Sequence, residues 1–105
     1  MNKAEPVRFK CEDSLWQMLA SGEKMWDARR WDMADERIRR LAAGKWFKTP
    51  PAVLPYWLPV EPFVDFENKA TGQVLRRRLL GLEFAAWAPG WVFIILCGIV
   101  EIRTG

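Results

Sequence analysis

The residues with the clearest chemical potential lie in the segment Gly22-Glu23-Lys24-Met25-Trp26-Asp27-Ala28-Arg29, which has the spacing GxKxxDxR. A lysine, a carboxylate and a guanidinium at this spacing can bind a planar polar group, such as the edge of a nucleobase, or a phosphate. In a strand, Asp27 and Arg29 share a face because successive side chains alternate. Strict alternation places Lys24 on the other face, although a residue at the start of the strand can turn inward. The simpler alternative is a surface ion-pair set that joins a helix to the strand.

The residue types that are missing exclude several classes of site. Histidine is absent, which removes the Ser-His triad and the commonest ligand of transition metals. Cys11 and Cys97 are far apart and form no CxxC motif, so a zinc ribbon and a disulfide scaffold are excluded. We expect no metal and no cofactor, and any catalysis must run on Lys24 and a carboxylate such as Asp27.

The charge is mildly basic, with 16 Lys and Arg against 13 Asp and Glu. The basic residues cluster between Lys24 and Lys48 and again at residues 76–78, and such clusters attract phosphate. The alternative is a solvated charged surface. The candidates for contact with a nucleic-acid backbone are Arg30, Lys45, Lys48, Arg76, Arg77 and Arg78.

The elements that must position these residues can be read from the periodicity. A short strand at Val7–Lys10 precedes a helix that begins at Asp13 or Ser14 as its cap and ends at Ser21-Gly22. Residues 25–30 form a strand, and Asp32 starts a second helix that runs to Gly44. Three further strands are predicted at residues 63–66, 74–84 and 91–102, with a turn at 68–72 and a bend at Gly81.

Residues 49–62 contain five prolines and predict a long irregular connector. The whole chain, 1–105, is predicted to be a single α+β domain with a small barrel-like sheet and two to three short helices. The uncharged stretch 84–100 contains a Pro-Gly turn and favours a buried strand over a membrane span. Free cysteines and a polar N-terminus without a signal sequence favour the cytoplasm.

The motif after a helix resembles the GxKxxExR motif of the ASCH domain, a small β-barrel relative of the PUA domain. The lead-in SLWQMLASGEKMWDAR, the strand-turn-strand VDFENKATGQVLRRRLLGLEF and the closing PGWVFIILCGIVEI extend the resemblance over residues 7–102. The resemblance implies a pseudo-barrel with a basic cleft that binds RNA, single-stranded nucleic acid or a nucleotide. Gly22, Lys24 and Arg29 match the motif, and Asp27 replaces its glutamate.

Some small ASCH proteins have a motif similar to GxKxxTxR instead and are amidohydrolases acting on N4-acetylated cytidine. Other ASCH proteins are reported as ribonucleases. This chain has Asp27 in the threonine position, and residues 84–90 offer no matching glutamate. The alternative function is therefore a hydrolase acting on RNA or a modified nucleoside, with Lys24 and Asp27 as the catalytic residues. A second alternative is a protein-interaction module that docks a partner through the segment 49–62.

The seven tryptophans divide by position. Trp16, Trp87 and Trp91 are predicted to lie in or near the core. Trp31 and Trp46 bracket the arginine-rich second helix and are predicted to pack it onto the sheet. Trp26 and Trp57 remain as candidates for stacking on a ligand, so the predicted ligand-binding residues are Gly22, Lys24, Trp26, Asp27, Arg29 and Trp57.

Overall fold

A computed structural model describes residues 5–47 and 56–104, and the side chains of all of these except 44–47 and 56–59. The helices are α1 (Asp13–Ala20) and α2 (Glu36–Ala42). The strands are β1 (Val7–Cys11), β2 (Trp26–Arg30), β3 (Gly44–Phe47), β4 (Tyr56–Pro59), β5 (Phe63–Asn68), β6 (Gln73–Glu83) and β7 (Trp91–Thr104).

Five strands form one curled, half-barrel sheet in the order β1-β5-β6-β7-β2. The pair β1–β5 is parallel and the other pairs are antiparallel. Alternation along each strand places one set of side chains inside the curl, where they pack with both helices; Phe9, Leu75 and Ile94 are examples. This arrangement confirms the α+β class and the small barrel-like sheet.

Helix α1 packs through Trp16 and Leu19, which are both buried. The indole Nε1 of Trp16 donates to the carbonyl of Phe66 on β5 at 2.8 Å. The predicted side-chain cap is wrong, because the cap residue is Glu12 and its side chain makes no capping hydrogen bond. The predicted end is confirmed: Gly22 has φ +82°, a conformation that favours glycine.

Helix α2 is shorter than predicted. Asp35, not Asp32, caps it, since the Asp35 side chain accepts a hydrogen bond from the amide of Arg37. Asp32 instead closes a turn before the helix by accepting from the amide of Ala34 at 2.9 Å. Aspartate favours turns and caps equally, so the sequence leaves the choice open.

The proline-rich segment is more regular than predicted. Its residues 56–59 form β4, which pairs with β3 in a separate two-stranded sheet. Pro59 can take part because a strand with a free edge does not need every amide hydrogen. Residues 48–55 lie outside the described residues, and they include the first half, 49–55, of the predicted connector. In the part of the chain that is described, neither helix has the length or apolar composition needed to cross a membrane.

Candidate functional site

Strand β2 divides the GxKxxDxR motif between the two faces of the sheet. Asp27 pairs with the core residue Ile94, and Arg29 lies two positions further on the same, inner face. Arg29 Nε donates to Asp27 Oδ2 at 2.6 Å, and Asp27 is buried. Arg29 Nη2 also donates to the carbonyl of Lys10 on β1 at 3.3 Å. The Asp27–Arg29 pair therefore links the two edge strands of the curled sheet.

Lys24 lies on the outer face with Trp26. Its Nζ is 4.2 Å from the centroid of the Trp26 ring, a cation–π contact. No ion pair joins Lys24 to Asp27 among the described residues. The structure thus brings Asp27 together with Arg29, as the spacing predicts, and leaves Lys24 on the other side of β2. This separation is unfavourable for a reaction that needs Lys24 and Asp27 at the same atom.

The outer face of β2 and β7 carries a group of exposed aromatic rings. Trp26 packs edge-on against Phe93 with 5.6 Å between the ring centroids, and the tilted ring of Trp87 lies 5.5 Å from the same centroid. Trp26 is 44% exposed and Trp87 is 80% exposed. These rings line an open cleft of about 380 Å³. We call this surface the aromatic platform; its lining residues are Trp26, Glu83, Phe84, Ala85, Trp87, Phe93 and Ile95.

Among the platform residues, only Trp26 was predicted from the sequence to contact a ligand. The prediction that Trp87 and Trp91 lie in or near the core is wrong, because these side chains are 80% and 39% exposed. The prediction for Trp16 is confirmed. Two signals could have indicated the platform: the spacing of Trp91, Phe93 and Ile95, which places them on one face of a strand, and a short loop with Pro-Gly next to them.

The predicted phosphate-binding arginines have different environments. Arg30 lies at the end of β2 with its guanidinium 5.3 Å from the Trp91 ring. Arg78 is exposed and lies over Phe63. Arg76 forms a bidentate ion pair with Asp65 on the outer face.

Arg77 is only 1% exposed. Its guanidinium donates to three backbone carbonyls, those of Leu19, Lys24 and Gly98, at 3.1, 2.5 and 3.0 Å. A group enclosed in this way has no surface for a phosphate, so Arg77 supports the fold instead of a nucleic-acid contact. Lys48 lies outside the described residues, as do the side chains of Lys45, Trp46 and Trp57.

A second concavity opens between β1, β2 and α2. Its volume is about 300 Å³, and Phe9 and Ile38 form part of its wall. We call it the arginine cavity; its charged lining residues are Arg29, Arg30, Asp32, Asp35 and Arg37. It meets the end of β2 at Arg30, four residues from Trp26 on the platform.

The Cys11 thiol lies close to Arg29, whose Nη2 is 3.9 Å from its sulfur. Burial, with a smaller contribution from the Asp27 carboxylate, raises the pKa of Cys11 to about 11. At pH 8 about one thousandth of this thiol is ionised, and the thiolate is the reactive form. We expect a maleimide to label half-buried Cys97 in the native protein and Cys11 only after unfolding, as measured by mass spectrometry. Labelling of Cys97→Ser in its native state should stay negligible at pH 8; rapid labelling would contradict the burial of Cys11.

We compared the chain with known proteins at three levels. No family model, no curated protein and no solved structure matches it.

Proposed function

We propose that this protein is a single-stranded RNA-binding domain, similar in plan to ASCH domains, that stacks unpaired bases on the aromatic platform. The observation that carries the proposal is the exposure of Trp26 and Trp87, which both pack against Phe93. Soluble domains usually bury such rings, and exposed aromatic groups at this density are typical of binding surfaces. Bases stack on aromatic side chains without regard to sequence.

Cations beside the exposed rings favour a nucleic acid as the partner, and they outnumber the one carboxylate among the described lining residues, Glu83. The Lys24 ammonium lies on the Trp26 ring, and Arg30 lies on Trp91 at the other end of β2. Arg78 adds an exposed guanidinium on β6. Cations beside stacking rings can contact phosphates while the bases lie on the rings. The net charge of +3 has the sign that attracts such a strand.

The hydrolase alternative has less support, because Lys24 and Asp27 lie on opposite faces of β2 and the Asp27 carboxylate is bonded to Arg29. Turnover of RNA or acetylcytidine that disappears in Lys24→Ala would favour it over our proposal. The protein-interaction alternative depends on the segment 49–62, of which residues 49–55 lie outside the described part of the chain.

The test uses fluorescence anisotropy with a labelled all-uridine RNA of about eight nucleotides. We expect Trp87→Ala to weaken binding by roughly 5- to 150-fold, since one stacked base contributes about 1–3 kcal/mol. Trp87 is 80% exposed, so its removal should leave the thermal midpoint unchanged. Lys24→Ala should weaken binding less than Trp87→Ala. It should also reduce the slope of log affinity against log salt concentration, measured between about 50 and 200 mM, by about one.

The matched control is Val100→Ala, which removes an exposed apolar side chain from β7 well beyond the platform residue Ile95. Its affinity should equal that of the unmodified protein. Equal affinities for Trp26→Ala, Trp87→Ala and Val100→Ala would exclude the platform as the binding surface. Absence of any binding by the unmodified protein at low salt would refute the proposal itself.

A further inference from the structure

The arginine cavity is closer to electrical neutrality than its three guanidiniums suggest. Arg29 is paired with the buried Asp27. Arg37 donates to Asp35 from Nε at 3.1 Å and from Nη2 at 2.8 Å. The hydrogen bond from Arg37 lowers the pKa of Asp35, so this carboxylate is ionised at neutral pH. The two pairs cancel, and they leave little net charge to attract a phosphate.

One cation and one carboxylate of the lining remain available to a ligand. Arg30 stacks beside Trp91 and makes no ion pair with the residues that the structure describes. Asp32 accepts one hydrogen bond at Oδ1 from the amide of Ala34, and within the described residues its Oδ2 accepts none. A guanidinium and a carboxylate of opposite charge favour a neutral ligand that carries both donors and acceptors.

The cavity also suits a flat ligand. The guanidiniums of Arg29 and Arg37 lie 4.5 and 4.6 Å from the centroid of the buried Phe9 ring. Planar guanidiniums stack on aromatic rings and on nucleobases. A volume of about 300 Å³ lies at the lower end of the range for small-molecule sites, which suits one base better than a whole nucleotide chain.

We propose that the arginine cavity binds a single guanine base of the RNA that lies on the aromatic platform. The proposal deepens the proposed function and rests on it for the source of the base. Guanine places two donors side by side, N1–H and the N2 amino group, which match the two oxygens of one carboxylate. Its other edge carries the acceptors O6 and N7, which an arginine can contact together.

The other bases fit this lining less well. Adenine and cytosine each place an acceptor beside their one amino group, and uracil places its single N–H between two carbonyl oxygens. Each would turn an acceptor toward the Asp32 carboxylate or leave one of its oxygens without a donor. Asp32 is exposed, so a base that faces it with an acceptor replaces the carboxylate's hydrogen bonds to water with a repulsive contact. The lining therefore favours guanine.

The position of the cavity allows one RNA strand to occupy both surfaces. Trp26 on the platform and Arg30 in the cavity lie four residues apart on β2, or about 13 Å at the usual rise of a strand. Because β2 is an edge strand of the sheet, an RNA strand can stack neighbouring bases on the platform and cross this edge to turn one base into the cavity.

The experiment compares three RNAs by anisotropy: an all-uridine strand, the same strand with one central guanosine, and the same strand with inosine there. Inosine lacks the N2 amino group. We expect the unmodified protein to bind the guanosine RNA about tenfold more tightly than the inosine RNA. Asp32→Asn, which keeps the acceptor for the Ala34 amide, should reduce this ratio to about one. The matched control Glu36→Gln, at an exposed position of α2 outside the cavity lining, should keep the ratio.

The outcomes separate this proposal from the proposed function. Binding of the all-uridine strand with a guanosine-to-inosine ratio of one would overturn the guanine site and leave the platform intact. A ratio in Asp32→Asn equal to that of the unmodified protein would also overturn it. A third outcome is that the unmodified protein fails to bind the all-uridine strand and yet binds free guanosine saturably and more tightly than inosine and adenosine. That result would support the cavity as a guanine site and refute the platform as the RNA-binding surface.

Discussion

Replacing Arg77 with methionine is expected to destabilise the protein by about 3 kcal/mol or more. The guanidinium is buried and donates to the carbonyls of Leu19, Lys24 and Gly98. Methionine has a similar length but no donor, so all three carbonyls lose this partner, and within the described residues that of Leu19 keeps only a long bond from the Gly22 amide at 3.4 Å. Each lost bond to a buried charged group costs about 1 kcal/mol or more. This is a large fraction of the roughly 5–15 kcal/mol that a domain of this size has in total.

The location of the three carbonyls explains why the effect is not local. Leu19 lies in the last turn of α1, where helix carbonyls have no partner in the helix and carry partial negative charge. Lys24 precedes β2, and Gly98 lies at φ +55° in β7, beside the register shifts that it shares with β6. Burial lowers the pKa of Arg77, yet arginine stays protonated in proteins. One cation thus joins a helix end, a turn and a strand.

Thermal unfolding followed by circular dichroism measures the effect, and the neighbouring substitution Arg78→Met is the matched control. Arg78 is exposed, and its loss should change stability by less than about 0.5 kcal/mol. The midpoint of Arg77→Met should fall by about 10 °C or more. Equal midpoints for the two variants would show that the guanidinium of Arg77 is not bonded inside the sheet.

Asp65→Asn is expected to produce the second large loss, of about 3 kcal/mol. The Asp65 carboxylate on β5 is 1% exposed and accepts from Arg76 Nε at 2.8 Å and Nη2 at 3.1 Å. Arg103 on β7 and Arg8 on β1 lie 3.6 and 3.9 Å from its Oδ2. The hydrogen bond to Asp65 raises the pKa of Arg76. Removing the buried charge leaves three arginines, from β1, β6 and β7, whose only carboxylate partners in the described part of the chain are the more exposed Glu67 and Glu101. Arg76 also has little access to water.

Urea unfolding at low and high salt tests this prediction, with Glu101→Gln as the control at the exposed end of the same cluster. An exposed pair contributes about 0–1 kcal/mol and is screened by salt, so the control should have a small effect that salt removes. The loss in Asp65→Asn should persist at high salt, because the carboxylate is buried. A loss as small as that of Glu101→Gln would contradict a buried ion-pair centre.

The different environments of the three consecutive arginines at residues 76–78 could not be predicted from the sequence. Arg76, Arg77 and Arg78 are identical side chains at consecutive positions. The strand turns Arg76 and Arg78 outward and Arg77 inward, and the register shifts between β6 and β7 fall at these residues. Which of the three is buried depends on the partner strands, since a slip of one residue exchanges the faces.

The sequence by itself determined the local features of this protein. Alternation and turn residues located β2, the bend at Gly81 and the end of α1 at Gly22, and the spacing of Asp27 and Arg29 placed them on one face. These features depend on interactions between residues that are near in the chain. The predicted α+β class with a small barrel-like sheet followed from them.

Only the tertiary structure decided which face of each strand is buried and what meets across the chain. It turned Asp27 and Arg29 toward the core and Lys24 and Trp26 outward, and it brought Trp87 from the β6–β7 loop beside Phe93. The physical reason is that hydrophobic burial is a property of the whole sheet. The alternation of residues along a strand predicts which side chains share a face. Only the pairing and packing of the strand decide which of its two faces is buried.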